Sequence, residues 1–293
     1  MSPVLVVARA TIREASRKKL VIALAVITVL GVILTGFGFW RLNIVAHEIA
    51  ANGGRRLGPS AEKAVTSQLL ILVMFAFSFV LAISTVFMAA PTIAGELESG
   101  VALAVLTRPV RRVELLAGKW LGLAAVAIGY TAVASALAFV AVHLATGYGP
   151  PHPLSFIAFL AGEALITLTL TTLISTRLSP VAGGVIALGG FMLAWMGGIA
   201  VALGSVLHIH SVSVVGSVTR LIVPTDGLWR GAIFNLEPVS VIAGFLGGGD
   251  RTQVAANPFF ASAPPAWAYV GYAVFWGFAI FALATWSFSR REV

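Results

Sequence analysis

Six stretches of this chain are each long and apolar enough to cross a lipid bilayer, and that pattern constrains its fold more than any other feature. They lie at about 20–40, 67–90, 119–146, 154–176, 179–204 and 266–288. At 1.5 Å per helical residue, about 20 residues span the ~30 Å hydrocarbon layer. Within that layer a helix satisfies every backbone N–H and C=O group internally. With 59% hydrophobic and 10% charged residues among 293, and a mean hydropathy of +0.98, a soluble core is excluded. The expected fold is an all-α polytopic membrane protein with six transmembrane helices, a single transmembrane domain over 1–293.

The basic residues give the orientation. With the N-terminus inside, the cytoplasmic side holds twelve: Arg9, Arg13, Arg17, Lys18, Lys19, Arg108, Arg111, Arg112, Lys119, Arg177, Arg290 and Arg291. Outside lie seven: Arg41, Arg55, Arg56, Lys63, Arg220, Arg230 and Arg251. That bias predicts a plasma (inner) membrane protein with both termini cytoplasmic. The net charge of +8 is then a topology signal facing anionic lipid, and no nucleic-acid partner is expected. The absence of cysteine excludes disulfides, thiolate metal sites and thiol catalysis within the chain. The first 19 residues are polar and basic, and no small-residue cleavage pattern follows the first apolar segment, so no cleavable signal peptide is expected.

Residues 2–19 read as an interfacial helix. Leu5, Ala8, Ile12 and Ala15 form an apolar stripe, with Arg9, Arg13 and Arg17 beside it to meet anionic headgroups. The alternative is a basic tail that only sets topology. Residues 205–265, with His208, His210, several serines and Arg220, are too polar for a span, and the apolar run from Val239 to Leu246 is too short. They are expected to form an extracytoplasmic region of short helices before the sixth span, some dipping into the interface. One helix should start after Thr225 or Asp226, either a good N-cap, and carry Leu228, Trp229, Ile233 and Phe234.

Two spans carry unusual patterns. In 179–204, Gly190, Ala194, Gly198 and Ala202 repeat every four residues, a small-residue face on which another helix packs closely, in this chain or in a second copy. In 154–176, Glu163, Thr167, Thr171 and Ser175 make a polar lane. Glu163 is about nine residues from the outer end, roughly 13 Å deep, where a carboxyl costs ~2.5–3.5 kcal/mol. Either the lane is part of a translocation path, or Glu163 ties two helices together, with His143 as a candidate partner and the threonines bonding to their own helix. His208 and His210 offer two metal ligands with no evident third, and Met192 and Met196 are packing residues, so no metal site is expected.

Between the second and third spans lies the densest mixed-charge stretch of the chain. No phosphate-binding Gly-x-x-x-x-Gly-Lys-[Ser/Thr] occurs there: Val113 stands five residues before Gly118, and Trp120 follows Lys119. No catalytic constellation occurs elsewhere, so the chain is not expected to be an enzyme, and any energy comes from a gradient or from another subunit. The order Ile93-Ala94-Gly95-Glu96-Leu97-Glu98-Ser99-Gly100, then Leu103, Leu106, Pro109-Val110-Arg111 and Gly118-Lys119, resembles the cytoplasmic loop of ABC-2 type permeases. These are membrane subunits of ATP-binding-cassette transporters. Val101 departs from the frequent Thr, and Arg111 from the usual Ser. The basic N-terminal helix, the six-span layout and the external segment are similar too. The stretch from Ala8-Arg9-Ala10 to Arg17-Lys18 is loosely similar to the subgroup of the nitrous-oxide reductase maturation permease.

The resemblance implies that residues 91–118 hold a coupling helix that docks on a separate ABC ATPase, which binds ATP and Mg; this chain would hold no cofactor. Leu103 and Leu106 would anchor the contact. Glu96, Glu98, Arg108, Arg111 and Arg112 would form its charged rim, and Gly100 and Pro109 would bracket the helix. It further implies two ATPase copies, a homodimer of this chain in the lipid bilayer, and export driven by ATP hydrolysis. Two alternatives stay open: a non-transporting ABC complex that passes mechanical force to an extracytoplasmic partner protein, or a gradient-driven transporter or channel in which Glu163 is the ion site.

Overall fold

The computed structural model describes residues 2–52, 58–95, 111–237, 259–261 and 263–290. Of the expected coupling residues, Glu96, Glu98, Gly100, Leu103, Leu106, Arg108 and Pro109 lie outside the described residues, as does most of 238–265. Among the described residues there is no strand. In chain order the helices are α1 (Pro3–Arg17), α2 (Lys19–Ala51), α3 (Pro59–Ala90), a π-helical turn (Pro91–Gly95), α4 (Arg112–Thr146), α5 (Pro153–Ser175), α6 (Pro180–Val206), α7 (His210–Ile222), α8 (Thr225–Phe234) and α9 (Trp267–Ser289). The six spans expected from the sequence correspond to α2–α6 and α9, each long and apolar enough to cross a membrane.

The sequence marks most helix ends. Proline opens α1, α3, α5 and α6, where the missing N–H would have had no partner. Ser179 caps α6, its hydroxyl accepting the Ala182 N–H at 3.4 Å. Gly147, at φ +72°, ends α4 in the left-handed conformation, and its N–H donates to the His143 carbonyl at 2.7 Å. Lys18 interrupts the first two helices with extended backbone, φ −69° and ψ 134°, so α1 leaves the line of α2.

The central helix is α5, which touches α3, α4, α6, α8 and α9, whereas α2 packs mainly on α4. We call basal the end of the bundle where α1 lies, where α3, α5 and α9 finish and α4 and α6 begin; the opposite end is distal. The main core cluster fills the distal half, with Leu70, Met74, Phe139, Phe156, Leu160, Trp229 and Ile233.

The segment following α6 departs from the shallow external region expected of it. α7 runs back along α6, with Ser213 against Gly204, Gly216 against Gly197 and Val223 against Gly190. α8 then returns along α5: Leu228 lies beside Gly162, Phe159 covers Gly231, and the His152 N–H donates to the Asn235 carbonyl at 3.3 Å. The tip at Val223 and Pro224 therefore reaches the level of Gly190, ten residues into α6, about 15 Å from its basal start. Glycine permits this depth. A Cβ on Gly216 would fall 2.6 Å from the Gly197 carbonyl oxygen, and one on Gly204 would fall 2.7 Å from the Ser213 nitrogen, so the two backbones touch where side chains would hold them apart.

Candidate functional site

The basal end is where polar chemistry concentrates. α1 crosses the start of α4 so closely that a Cβ on Gly118 would fall 2.5 Å from Val7 Cβ, and one on Gly122 2.7 Å from the Ala8 carbonyl oxygen. The apolar stripe expected on α1 is divided by this contact. Ala8, Thr11 and Ala15 are buried on α4, while Leu5 and Ile12 stay exposed, as do Arg9, Arg13 and Arg17 around the helix. One helix thus presents a protein face, an apolar face and a cationic face.

Four basic side chains fasten the basal ends of different helices together. Lys119, 7% exposed, donates from Nζ to the Thr92 carbonyl at 2.9 Å. Lys18 Nζ pairs with Glu14 at 2.8 Å and donates to Thr92 Oγ1 at 2.8 Å. Arg177 donates from Nε to Ser287 Oγ at 2.8 Å and from Nη2 to the Ser287 carbonyl at 3.1 Å. Arg112 reaches the Ser289 carbonyl at 3.4 Å. Each cation meets the C-terminal end of a helix, where carbonyls lack intrahelical donors and the helix dipole is negative. Beside Arg112, the Arg111 N–H donates to Glu114 Oε2 at 2.9 Å and so caps α4. The roots of the 96–110 segment, at Gly95 and Arg111, both emerge from this assembly.

The lane on α5 is buried inside the chain. Glu163 is 4% exposed, and its Oε1 accepts from Ser78 Oγ of α3 at 3.0 Å. The expected partner His143 is exposed at the distal end of α4 instead, because Glu163 faces α3. Thr167 and Thr171 donate to the carbonyls four residues before them, at 3.0 and 2.7 Å, and Ser175 is buried. On a neighbouring face, Thr169 accepts the Trp120 indole N–H at 3.0 Å.

The small-residue face of α6 packs within the same chain. Gly190 lies against Leu170 of α5 and Val223, Ala194 and Ala202 are buried, and Gly198 receives the Asp226 carboxylate. The expected helix forms but begins at Thr225 itself, inside the residues expected to cap it; its N-cap is Pro224, and no side chain caps it. Asp226, 4% exposed, is drawn to two guanidiniums: its Oδ2 pairs with Arg220 Nε at 2.5 Å and Arg230 Nε at 3.2 Å. Arg230 Nη2 also reaches the Gly198 carbonyl at 3.4 Å. Sequence reasoning missed this triad because 205–265 was expected to lie outside. The four-residue spacing of Asp226 and Arg230 was a readable ion-pair signal. Lys18 and Lys119 were counted as orientation charges and as positions of the resemblance, and Arg177 as an orientation charge, none of them as a cap on a neighbouring helix.

A family model described as ABC-2 family transporter protein matches residues 5–293. The chain belongs to the ABC-2 transporter family. As an ABC-2 protein with six apolar spans, it is the multi-pass membrane subunit of an ABC transporter, a role that implies an ABC ATPase as partner. No curated protein matches this ABC-2 chain. The family assignment covers the basal assembly, the α5 lane and the α7–α8 hairpin in one unit.

Proposed function

We propose that this chain is the permease of an ABC exporter, working as a homodimer with two copies of a separate ATPase that supplies the ATP- and Mg-binding sites. The basal end faces the cytoplasm of a plasma (inner) membrane. Residues 96–110, with Arg111 and Arg112 at their root, dock on the ATPase, and α1 lies in the headgroup layer with Leu5 and Ile12 in lipid and Arg9, Arg13 and Arg17 toward phosphates. The chain contributes no catalytic group. It converts the two nucleotide-dependent shapes of its partner into two arrangements of its helices, which requires contacts that differ in strength between those states.

The observation that carries this reading is the basal assembly at the roots of the 96–110 segment. Thr92, three residues before Gly95, is held by Lys18 and Lys119, and Arg112 is bonded to the end of α9. A displacement of the segment would therefore be felt by α1, α3, α4 and α9 together. Affinity purification of the tagged chain from its native membrane tests the proposal. The expected result is an ABC ATPase retained with the permease and released by Leu106→Asp and Arg111→Glu without loss of membrane insertion. Recovery of the chain alone, with transport intact in the absence of any ATPase, sinks the proposal in favour of a gradient-driven carrier. An ATPase complex that turns over ATP and exports nothing favours transmission of force to an extracytoplasmic partner.

A further inference from the structure

We infer that Thr92 is the joint through which movement of the 96–110 segment reaches α1, with Lys18 and Lys119 as its two positioning residues. The inference rests on the ATPase-docking reading above. Pro91 to Gly95 continue α3 as a π-helical turn. Such a turn holds one more residue than the α-helix would, and it leaves backbone carbonyls in need of outside donors. Thr92 is served from two directions. The buried Lys119 ammonium of α4 donates to its carbonyl at 2.9 Å, and Lys18, at the break between α1 and α2, donates to its hydroxyl at 2.8 Å. That hydroxyl in turn donates to the Met88 carbonyl at 2.7 Å. One residue thus joins the end of α3, the start of α4 and the hinge of α1.

The two lysines belong to a single body. Gly118 and Gly122 bracket Lys119, and at both the α1 backbone lies too close for a Cβ to fit. α1 and the start of α4 therefore shift together, and Thr92 is where that body meets α3. A buried ammonium does not leave its acceptor without a desolvation cost, so the contact transmits displacement rather than slipping. The π turn also has a defined alternative: closure to α-register would rotate everything beyond it by about 100° and move it by about 1.5 Å. That motion would redirect the segment beyond Gly95 and reshape the turn that holds Thr92, pulling on both lysines through it. A static brace would use the same bonds without this motion, and the two roles separate by experiment.

The chain has no cysteine, so Ser16→Cys on the exposed side of α1 gives a single labelling site. The full complex, isolated from native membranes with its ATPase, is treated with a maleimide probe with and without Mg-ATP plus vanadate. The expected result is a several-fold nucleotide-dependent change in labelling rate in the parent. That change should vanish in Thr92→Val and Lys119→Met, with undiminished ATPase recovery, and be retained in Thr92→Ser. An unchanged nucleotide response in the two variants overturns the inference and leaves a static brace. So does a parent that shows no response, or variants that lose the ATPase, since the residues would then serve docking. If no ATPase accompanies the parent, the docking reading itself has failed, a result visible before any labelling.

Discussion

Gly198→Ala tests how the α7–α8 hairpin is seated. A Cβ at that position would lie 2.0 Å from Asp226 Oδ1 and 2.6 Å from its Cγ, whereas real Cβ contacts stay beyond 3.0 Å. The carboxylate must therefore retreat by about 1 Å. It has little room, being 4% exposed and held by Arg220 and by Arg230 at 3.2 Å; a retreat of that size takes the Arg230 contact beyond hydrogen-bond range, about 3.5 Å. Overpacking costs ~1–3 kcal/mol, and loosening a buried ion pair adds a fraction of the ~3–5 kcal/mol lost when one partner is removed. We expect about 2–4 kcal/mol, or ~4 °C or more in the unfolding midpoint. Gly189→Ala is the matched control: nothing lies within 4 Å of its Cβ, and alanine favours the helix by up to ~1 kcal/mol. Tryptophan-monitored thermal unfolding in lipid nanodiscs measures both. In an Asp226→Ala background the cost of Gly198→Ala should shrink, which a double-mutant cycle reads directly. If Gly198→Ala melts with the parent, Asp226 is not wedged against α6 and the hairpin is seated otherwise.

Three further outcomes are expected. Burial pushes the Glu237 carboxyl from its ordinary 4.5 up to about 8, against the stabilising N–H of Ala261 and the side chain of Gln68, with the Tyr148 ring nearby. Between those values the folded chain keeps a proton that the unfolded chain releases, so stability falls as pH rises from about 5 to 8; Glu237→Gln should flatten that slope in thermal melts. Arg177→Met removes both bonds to Ser287 and should cost ~1–3 kcal/mol, with a coupling above ~0.5 kcal/mol to Ser287→Ala; additivity would deny the contact. Glu163→Gln can still accept the Ser78 hydroxyl and should hold stability within ~1 kcal/mol, while Glu163→Leu strands that hydroxyl and costs ~1–3 kcal/mol. If transport by Glu163→Gln follows the parent at every pH, the residue serves only to tie α5 to α3.

The spans were legible because apolar length in lipid leaves few choices: Val21–Ile49, Pro153–Ser175 and Pro180–Val206 follow the sequence reading closely at their apolar centres. Their ends were less so. Glu62 and Lys63 near the start of α3 and Arg112 at the start of α4 are polar residues that hydropathy excludes and helical hydrogen bonding includes. The small-residue face of α6 was readable as a packing face, but its partner was not, since Gly190 and Gly198 meet Val223 and Asp226 from a segment whose charges argued for water. Asp226 is paired there with Arg220 and Arg230, and pairing is a property of three-dimensional neighbours. On α1, a single amphipathic stripe was legible, but not its division, because only the glycines of α4 decide that Ala8 and Ala15 face protein while Leu5 and Ile12 do not.

The basal cations act twice in the life of the chain. In the proposed orientation, with the basal end cytoplasmic, Lys18, Arg112, Lys119 and Arg177 belong during insertion to the bias that decides which way the helices thread. In the finished bundle the same four side chains close the open ends of α3 and α9. Orientation and cohesion are thus drawn from one set of charges. A variant designed to invert the chain by transplanting those charges to the distal loops would leave the carbonyls of two helices uncapped, and would be loosely packed even where it inserted as designed.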